Sequence, residues 1–223
     1  MKLATIIVAG GIGKRFGSNK PKQFLLLNKK PMFEWSIIAF KKIKECSQII
    51  LVVPKDKLQD MLKYKKLYGI DIVCGGKERF DSVKNGLNIV QDDIDLVAVH
   101  DAARPLITEK IIKDVMESAK KFGGAIAAVT SKDSVKFSKS GTKITKSLDR
   151  KTIWNAQTPQ IFKKDILKKA YSKKISKSTT DDAQLVEKTG TKSALVFASY
   201  ENFKITEQTD FLLAEAILKK RGR

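Results

Sequence analysis

Residues 9–24 read AGGIGKRFGSNKPKQF and follow directly on the apolar run 3–8. Gly10, Gly11, Gly13 and Gly17 permit backbone conformations that a side chain forbids and let a ligand approach closely. Lys14, Arg15, Lys20 and Lys22 bring positive charge to the same place. A glycine turn leaving a strand presents N–H groups that suit phosphate oxygens, so the combination reads as a polyphosphate site. Its spacing excludes the two common nucleotide motifs. Gly11 and Gly13 begin a G-x-G-x-x-G fingerprint, but Phe16 fills the third slot; Gly13-Lys14 is followed by Arg15 and has no glycine five places before it, so it is not a P-loop.

Cation usage sharpens the reading. The 223 residues carry a formal net charge of +20, yet of 44 Lys and Arg only Arg15, Arg79, Arg104, Arg150, Arg221 and Arg223 are arginine. Lysine serves wherever any cation suffices; a planar, permanently charged fork marks the places where bidentate anion contact is required. Arg221 and Arg223 fall in the polar tail, whereas the other four lie in glycine-rich or aspartate-bearing stretches that have the composition of a site. The rest of the charge reads as a lysine-coated surface. A basic nucleic-acid-binding module is the rival from another class. Lysines scattered over every helix and the lack of an RRM, KH or helix-turn-helix pattern argue against it. Cys46 and Cys74 lack metal-ligand spacing and read as buried thiols in a reducing compartment. The single histidine, His100, excludes a two-histidine relay and reads as structural, its backbone positioning Asp101. No run is long enough to span a membrane, and Met1-Lys2 leads straight into a strand, so a soluble, cytoplasmic protein is expected.

These residues need a scaffold, and the apolar pattern supplies one. Runs at 3–8, 49–53, 70–73, 96–99 and 125–129 read as buried strands. Between them lie amphipathic helices opened by Pro31, spanning 55–67, carrying Phe80, Val83, Leu87 and Val90, and capped by Thr108 with the stripe Ile111, Ile112, Val115 and Ala119. Such alternation predicts a single α/β domain over 1–223, a Rossmann-like, mostly parallel sheet flanked by helices. Ligands bind such sheets outside the carboxyl ends of the strands, where residues 9–22, 75–82 and 101–105 fall. Residues 131–150 break the rhythm; Val135 and Phe137 alternate before a Ser140-Gly141 turn and Ile144 follows it, which predicts a protruding two-stranded arm. A lone ribbon buries little, so a second subunit is its natural support. WNAQTPQ at 154–160 looks too polar for a core strand; two helices, a strand at 194–198 and a final helix from Glu207 complete the chain.

Taken in order, AGGIGKRFGSNKPKQF, GGKERFDSV, VHDAARP, LDR before WNAQTPQ, TDDAQLVE and ENFKIT resemble the 2-C-methyl-D-erythritol 4-phosphate cytidylyltransferase family nearly end to end. VHDAARP and WNAQTPQ are the most specific pieces; the glycine loop alone indicates only the wider nucleotidyltransferase superfamily. The resemblance implies the nucleotide-diphospho-sugar transferase type of fold. It also implies that CTP and methylerythritol phosphate give CDP-methylerythritol and pyrophosphate with Mg2+, in a homodimer. By the same resemblance Arg15 and Lys22 stabilise the transition state at the α-phosphate, and Gly10, Gly11, Gly13 and Lys14 cradle the triphosphate. Cytosine meets main-chain groups near Ala9 and Gly10 together with Gly76 and Ser82, with Arg79 orienting that loop. Asp101 is the metal carboxylate and a substrate contact; Arg104, Thr158 and Lys204 receive the substrate, joined by Ser134 and Arg150 from the partner's arm. Arg150 and Lys204 hold the substrate phosphate for attack. Lys77 and Glu201 stand where relatives often carry Asp, and Ser134 where Thr is commoner. A ribitol 5-phosphate cytidylyltransferase keeps the chemistry and changes the acceptor; the two alanines of Asp101-Ala102-Ala103-Arg104-Pro105 favour methylerythritol phosphate.

The chemistry suits the composition. A phosphomonoester dianion is already a nucleophile, so in-line attack on a phosphorus needs positioning and charge stabilisation rather than a strong base.

Overall fold

Six runs rich in Val, Ile, Leu and Ala lie in one sheet; the inner ones, buried on both faces, satisfy their backbone only by pairing with neighbouring strands. The computed structural model describes residues 1–10, 21–176 and 178–222. β1 (Leu3–Val8) pairs in parallel with β4 (Cys46–Val53) and β6 (Leu96–Asp101), and β4 pairs in parallel with β5 (Asp71–Cys74). β7 (Gly124–Thr130) pairs in parallel with β11 (Ala194–Phe197). β10 (Trp154–Lys163) runs antiparallel between β6 and β7, giving the order β11-β7-β10-β6-β1-β4-β5. The short hairpin β2 (Leu26–Leu27) and β3 (Lys30–Pro31) and the ribbon β8 (Val135–Phe137) and β9 (Lys146–Leu148) stand apart from this sheet.

Alternation along the strands assigns the helices to two layers. Leu3, Ile7, Leu51 and Val53 pack toward α1 (Met32–Lys41), α2 (Leu58–Tyr68) and α4 (Glu109–Phe122) through Phe33, Phe40, Tyr64, Ile112 and Val115. Ala4, Ile6, Ile50 and Val52 face the other way, against α3 (Arg79–Leu87), α5 (Lys164–Ser172) and α6 (Asp182–Glu187) through Val83, Leu87, Leu167 and Val186. α7 (Gln208–Lys220) closes a third cluster with Leu27, Met32, Trp35 and Leu106. Each fully buried Leu, Ile or Phe contributes roughly 1.5–3 kcal/mol, which fixes the strand ends as a stiff rim for the site. Thr108 caps α4, its hydroxyl accepting from the Ile111 N–H at 3.4 Å, as its position predicts.

Four details differ from the sequence reading. The polar segment 154–160 is the first part of β10, a central strand: its Gln157, Thr158 and Gln160 side chains are buried and bonded, so their polarity is compensated. Pairing with β7 shifts register between Ala156 and Gln160, where Pro159 offers no N–H to the ladder. The ribbon's second strand starts at Lys146, after Ile144. Arg221 is no tail ornament; its guanidinium donates to the Leu106 carbonyl at 2.9 Å and to Glu201 Oε2 at 2.6 Å, tying α7 to the loops beside the site.

Candidate active site

Parallel pairing aligns three strand ends. Val8 lies opposite both Asp101 and Val52, and Val53 opposite Cys74, so the turns after β1 and β5 and the end of β6 open on one rim. Ser82, in the second turn of α3, joins two of these turns. Its hydroxyl accepts from the Gly76 N–H at 3.1 Å, and a Cβ on Gly10 or Gly75 would stand 3.3 or 2.8 Å from its oxygen. A Cβ on Gly76 would stand 2.2 Å from the Cβ of Asp81, the residue that completes the α3 capping box with Glu78. Gly76 is therefore required by the start of α3 as well as by any close-lying base. The structure thus gathers Gly10, Gly76 and Ser82. Ala9 is beside them, but its N–H donates to the Val52 carbonyl at 2.8 Å and its carbonyl accepts from Gln23 at 2.6 Å, leaving Gly10 as the better main-chain contact. Gly11, Gly13, Lys14 and Arg15 lie outside the described residues. Lys22 begins a 3-10 turn, Lys22–Phe24, and its charge reaches Asp210 at the start of α7. Burial works against that carboxylate, but N–H donors of Thr206 and Glu207 and the field of Lys22 hold it below the usual range.

At the same rim a cavity of about 230 Å³ is lined by Arg79, Asp101, Arg104, Thr158, Asp181 and Lys204, among others. Its electrostatics centre on Asp101. Arg79 Nε donates to Oδ1 at 3.2 Å and Lys204 Nζ to Oδ2 at 2.8 Å. Burial alone would raise the Asp101 pKa; Arg79, Lys204 and Arg104 override it and hold the carboxyl well below the usual range. Arg79 does not orient the glycine loop as expected; its second contact runs from Nη2 to Asp182 Oδ2 at 2.8 Å. Arg104 donates through Nη1 to the Asn202 carbonyl at 2.9 Å, and its buried Nε has no partner. Burial, against the help of Asp101, lowers the Arg104 pKa.

A chain of neutral hydrogen bonds steadies this ring of charge. The Asp101 N–H donates to Thr158 Oγ1 at 3.0 Å; Thr158 lies 3.1 Å from His100 Nδ1, and His100 Nε2 lies 3.2 Å from the Arg104 carbonyl. The carbonyl demands a proton on Nε2, so Nδ1 accepts from the threonine and the imidazole is neutral. Burial pushes its pKa down to about 4. Thr158 thus lines the cavity with its hydroxyl already engaged. Asn202 donates to Gln157 Oε1 at 2.8 Å and to the Thr158 carbonyl at 2.9 Å, fixing the segment that carries Lys204 against β10. Gln157, Gln160, Tyr171, Asp182 and Asn202 received no role from the sequence. The signal was there: TDDAQLVE and the strand-length polar run WNAQTPQ, neither of which a surface would need.

Ser134 and Arg150 lie away from this cavity. Arg150 is exposed, donates from Nη1 to the Lys132 carbonyl at 2.8 Å, and lines a separate groove with Thr130, Ser131, Lys132 and Lys151. Glu201 is held by Arg221 and does not reach toward Asp101. For a divalent metal the donor chemistry is sparse: the cavity lining offers Asp101, both oxygens of which face cations, and Asp181, whose oxygens accept from Gln160 and the Gln184 N–H, with no group of three His, Cys, Asp or Glu side chains among the described residues. This fits a metal that arrives ligated by phosphates.

Comparison with known proteins finds relatives along nearly the whole chain. The family model described as 2-C-methyl-D-erythritol 4-phosphate cytidylyltransferase matches residues 3–220. A protein of that name from Endomicrobium trichonymphae is 55% identical over 220 residues, covering 98% of this chain and 100% of its own. Another from Syntrophus aciditrophicus is 42% identical, covering 98% and 97%. The crystal structure of 4-diphosphocytidyl-2C-methyl-D-erythritol synthase from Anaerococcus prevotii superposes with a TM-score of 0.86 at 29% identity, covering 98% of both chains.

Proposed function

Since the chain belongs to the 2-C-methyl-D-erythritol 4-phosphate cytidylyltransferase family, we propose how its residues divide the work of that reaction. The enzyme transfers a cytidylyl group from CTP to methylerythritol phosphate in the non-mevalonate pathway. A phosphate oxygen of the acceptor forms a bond to the α-phosphorus, the bond from that phosphorus to the bridging oxygen breaks, and pyrophosphate leaves. Gly10, Gly76 and Ser82 receive the cytidine, with Gly11, Gly13 and Lys14 along the triphosphate; Arg15 and Lys22 stabilise charge at the α-phosphorus. The acceptor's phosphate goes to Arg104 and Lys204 at the rim of β6. The observation that carries this division is Arg104: a buried guanidinium whose Nε has no partner among the described residues, beside a lysine that makes a single ion pair among them. Asp101 is the residue that would help hold Mg2+ once Lys204 has moved to the acceptor, and the ion would supply neutralisation of phosphate charge.

Ser134 and Arg150 act from a second copy of the chain. Support comes from the arm, whose strands pair only with each other, and from the apolar surface around its root. Phe137, Ile144, Leu195, Phe197 and Tyr200 are exposed, and Trp154, Phe197 and Tyr200 form an edge-to-face aromatic cluster. Large apolar side chains grouped at an arm and an edge strand favour a partner surface. A reducing, cytoplasmic setting is in keeping with Cys46 and Cys74, both free thiols.

The test is pyrophosphate release from CTP, ATP, GTP and UTP, each with methylerythritol phosphate and with ribitol 5-phosphate, in wild type and Arg104→Met. Turnover confined to CTP with methylerythritol phosphate, and lost in Arg104→Met with nucleotide binding intact, is expected. Undiminished turnover of Arg104→Met refutes the division of labour.

A further inference from the structure

The TDDAQLVE stretch holds a carboxylate that none of these roles uses. Asp182 is fully buried at the first turn of α6, 103 residues away from Arg79 in sequence. Its Oδ1 accepts from the Tyr171 hydroxyl at 2.5 Å and its Oδ2 from Arg79 Nη2 at 2.8 Å. The helix start that carries it is clamped to β10: the N–H groups of Asp182 and Ala183 donate to Gln160 Oε1 at 3.0 and 2.9 Å, and Gln160 Nε2 donates to Asp181 Oδ2 at 3.0 Å. A carboxylate withdrawn from water this completely persists only where its partners are fixed.

The charges alternate from the interior to the mouth of the cavity: Asp182, Arg79, Asp101, Lys204. Side-chain exposure rises along the row, 0% at Asp182, 28% at Arg79, 11% at Asp101 and 40% at Lys204, with Asp101 alone out of sequence. Arg79 is held at two points, so turning its fork toward a ligand would break both ion pairs. Among the described residues Lys204 is held at one point, on a flexible stem. We propose that Asp182 is a positioning residue for cytidylyl transfer: it pins Arg79 against Asp101, so that Lys204 is the one cation of the row that exchanges from Asp101 to the acceptor's phosphate. The inference rests on the assignment of Arg104 and Lys204 above.

The consequence is a separation of binding from rate. The four charges sum to zero. Asp182→Asn leaves the row at +1 and frees Arg79 to compete with Lys204 for the acceptor. An anionic acceptor then binds at least as well, in a geometry that reacts more slowly. In the full chain with CTP, Mg2+ and methylerythritol phosphate, Asp182→Asn is expected to lower kcat on the order of tenfold to a hundredfold with KM for the acceptor unchanged or lower. Tyr171→Phe keeps the ring and removes only the donor to Asp182; its kcat is expected to fall in the same sense by a few-fold. Wild-type kcat in folded Asp182→Asn, or a raised KM with kcat unchanged, overturns the proposal. If Asp182→Asn fails to fold, Tyr171→Phe decides, and a wild-type kcat there overturns it. Lys204→Met run in parallel separates the two levels. If Lys204→Met keeps wild-type kcat, the site assignment itself falls; if it loses kcat while Asp182→Asn keeps it, only the role of Asp182 falls.

Discussion

Acid should loosen this protein in a window set by one residue. His100 is the sole histidine of the chain and is wholly buried, edge-on to Phe40 at 5.4 Å between ring centroids. Its folded pKa of about 4 lies below the ordinary value of 6.5. The sign follows from proton binding: between these values the unfolded chain takes up a proton that the folded chain refuses, so stability falls as pH falls. Above pH 6.5 the imidazole is neutral in both states and contributes no pH dependence. By pH 5 the loss reaches about 2 kcal/mol, and by pH 4 it approaches about 3 kcal/mol. Asp101 acts in a different window. Its folded pKa is depressed below 3.8, so the stability it confers is complete above that value and is lost only as pH falls further. The two contributions are therefore resolved along the pH axis. Urea unfolding at pH 7.5, 6.0, 5.0 and 4.5 reads the first, with His100→Gln as the non-titrating control, since a glutamine amide can still donate toward the Arg104 carbonyl. Wild type should lose stability steeply below pH 6.5 and the variant should not. Parallel curves for the two proteins would refute the buried neutral imidazole and the proton arrangement drawn from it.

Three further outcomes are expected. Gly76→Ala places a Cβ 2.2 Å from that of Asp81, so it should lower stability by roughly 1–3 kcal/mol and raise KM for CTP; an unchanged urea midpoint would show that the turn relaxes freely. Subunits carrying Lys22→Ala and Arg150→Ala, each inactive alone, should recover about a quarter of wild-type activity when mixed one to one, because half the dimers then hold one intact composite site. No recovery would mean that each chain builds its site alone. Excess chelator should abolish turnover and Mg2+ should restore it, whereas urea unfolding of the ligand-free enzyme should be indifferent to both, since the metal is expected to arrive with the triphosphate; a chelator-induced drop in stability would contradict a metal held mainly by phosphates.

Much of the scaffold was legible because burial writes itself into periodicity. Continuous runs such as 3–8 and 96–99 announced two-sided strands, and the Ile111, Ile112, Val115, Ala119 stripe announced the inner face of α4. The strand ends then located the rim without knowledge of any side-chain contact. β10 escaped because its buried large apolar residues are confined to its second half, Ile161 and Phe162; Gln157, Thr158 and Gln160 ahead of them read as surface although all three are buried. Pattern reasoning prices a buried amide as an error, and here each amide has its partners. The bias toward lysine singled out Arg79, whose guanidinium joins two carboxylates, but it dismissed Arg221, whose fork binds a carbonyl and a carboxylate at once.

The polar half of β10 also explains how a rigid sheet can host a movable ion pair. Gln160 ties the strand to α6, Thr158 ties it to the end of β6, and Gln157 ties it through Asn202 to the segment bearing Lys204. Each of these side chains both donates and accepts, so none can be replaced by an apolar residue without stranding a buried group on a neighbour. Their joint effect is to fix the backbones of Asp101, Asp182 and Lys204 relative to one another while leaving the Lys204 ammonium with one contact among the described residues. An apolar strand in the same place would hold the sheet together equally well. It would give no register between three segments that lie far apart in the chain, and the exchange of Lys204 between Asp101 and an incoming phosphate would lose its fixed frame.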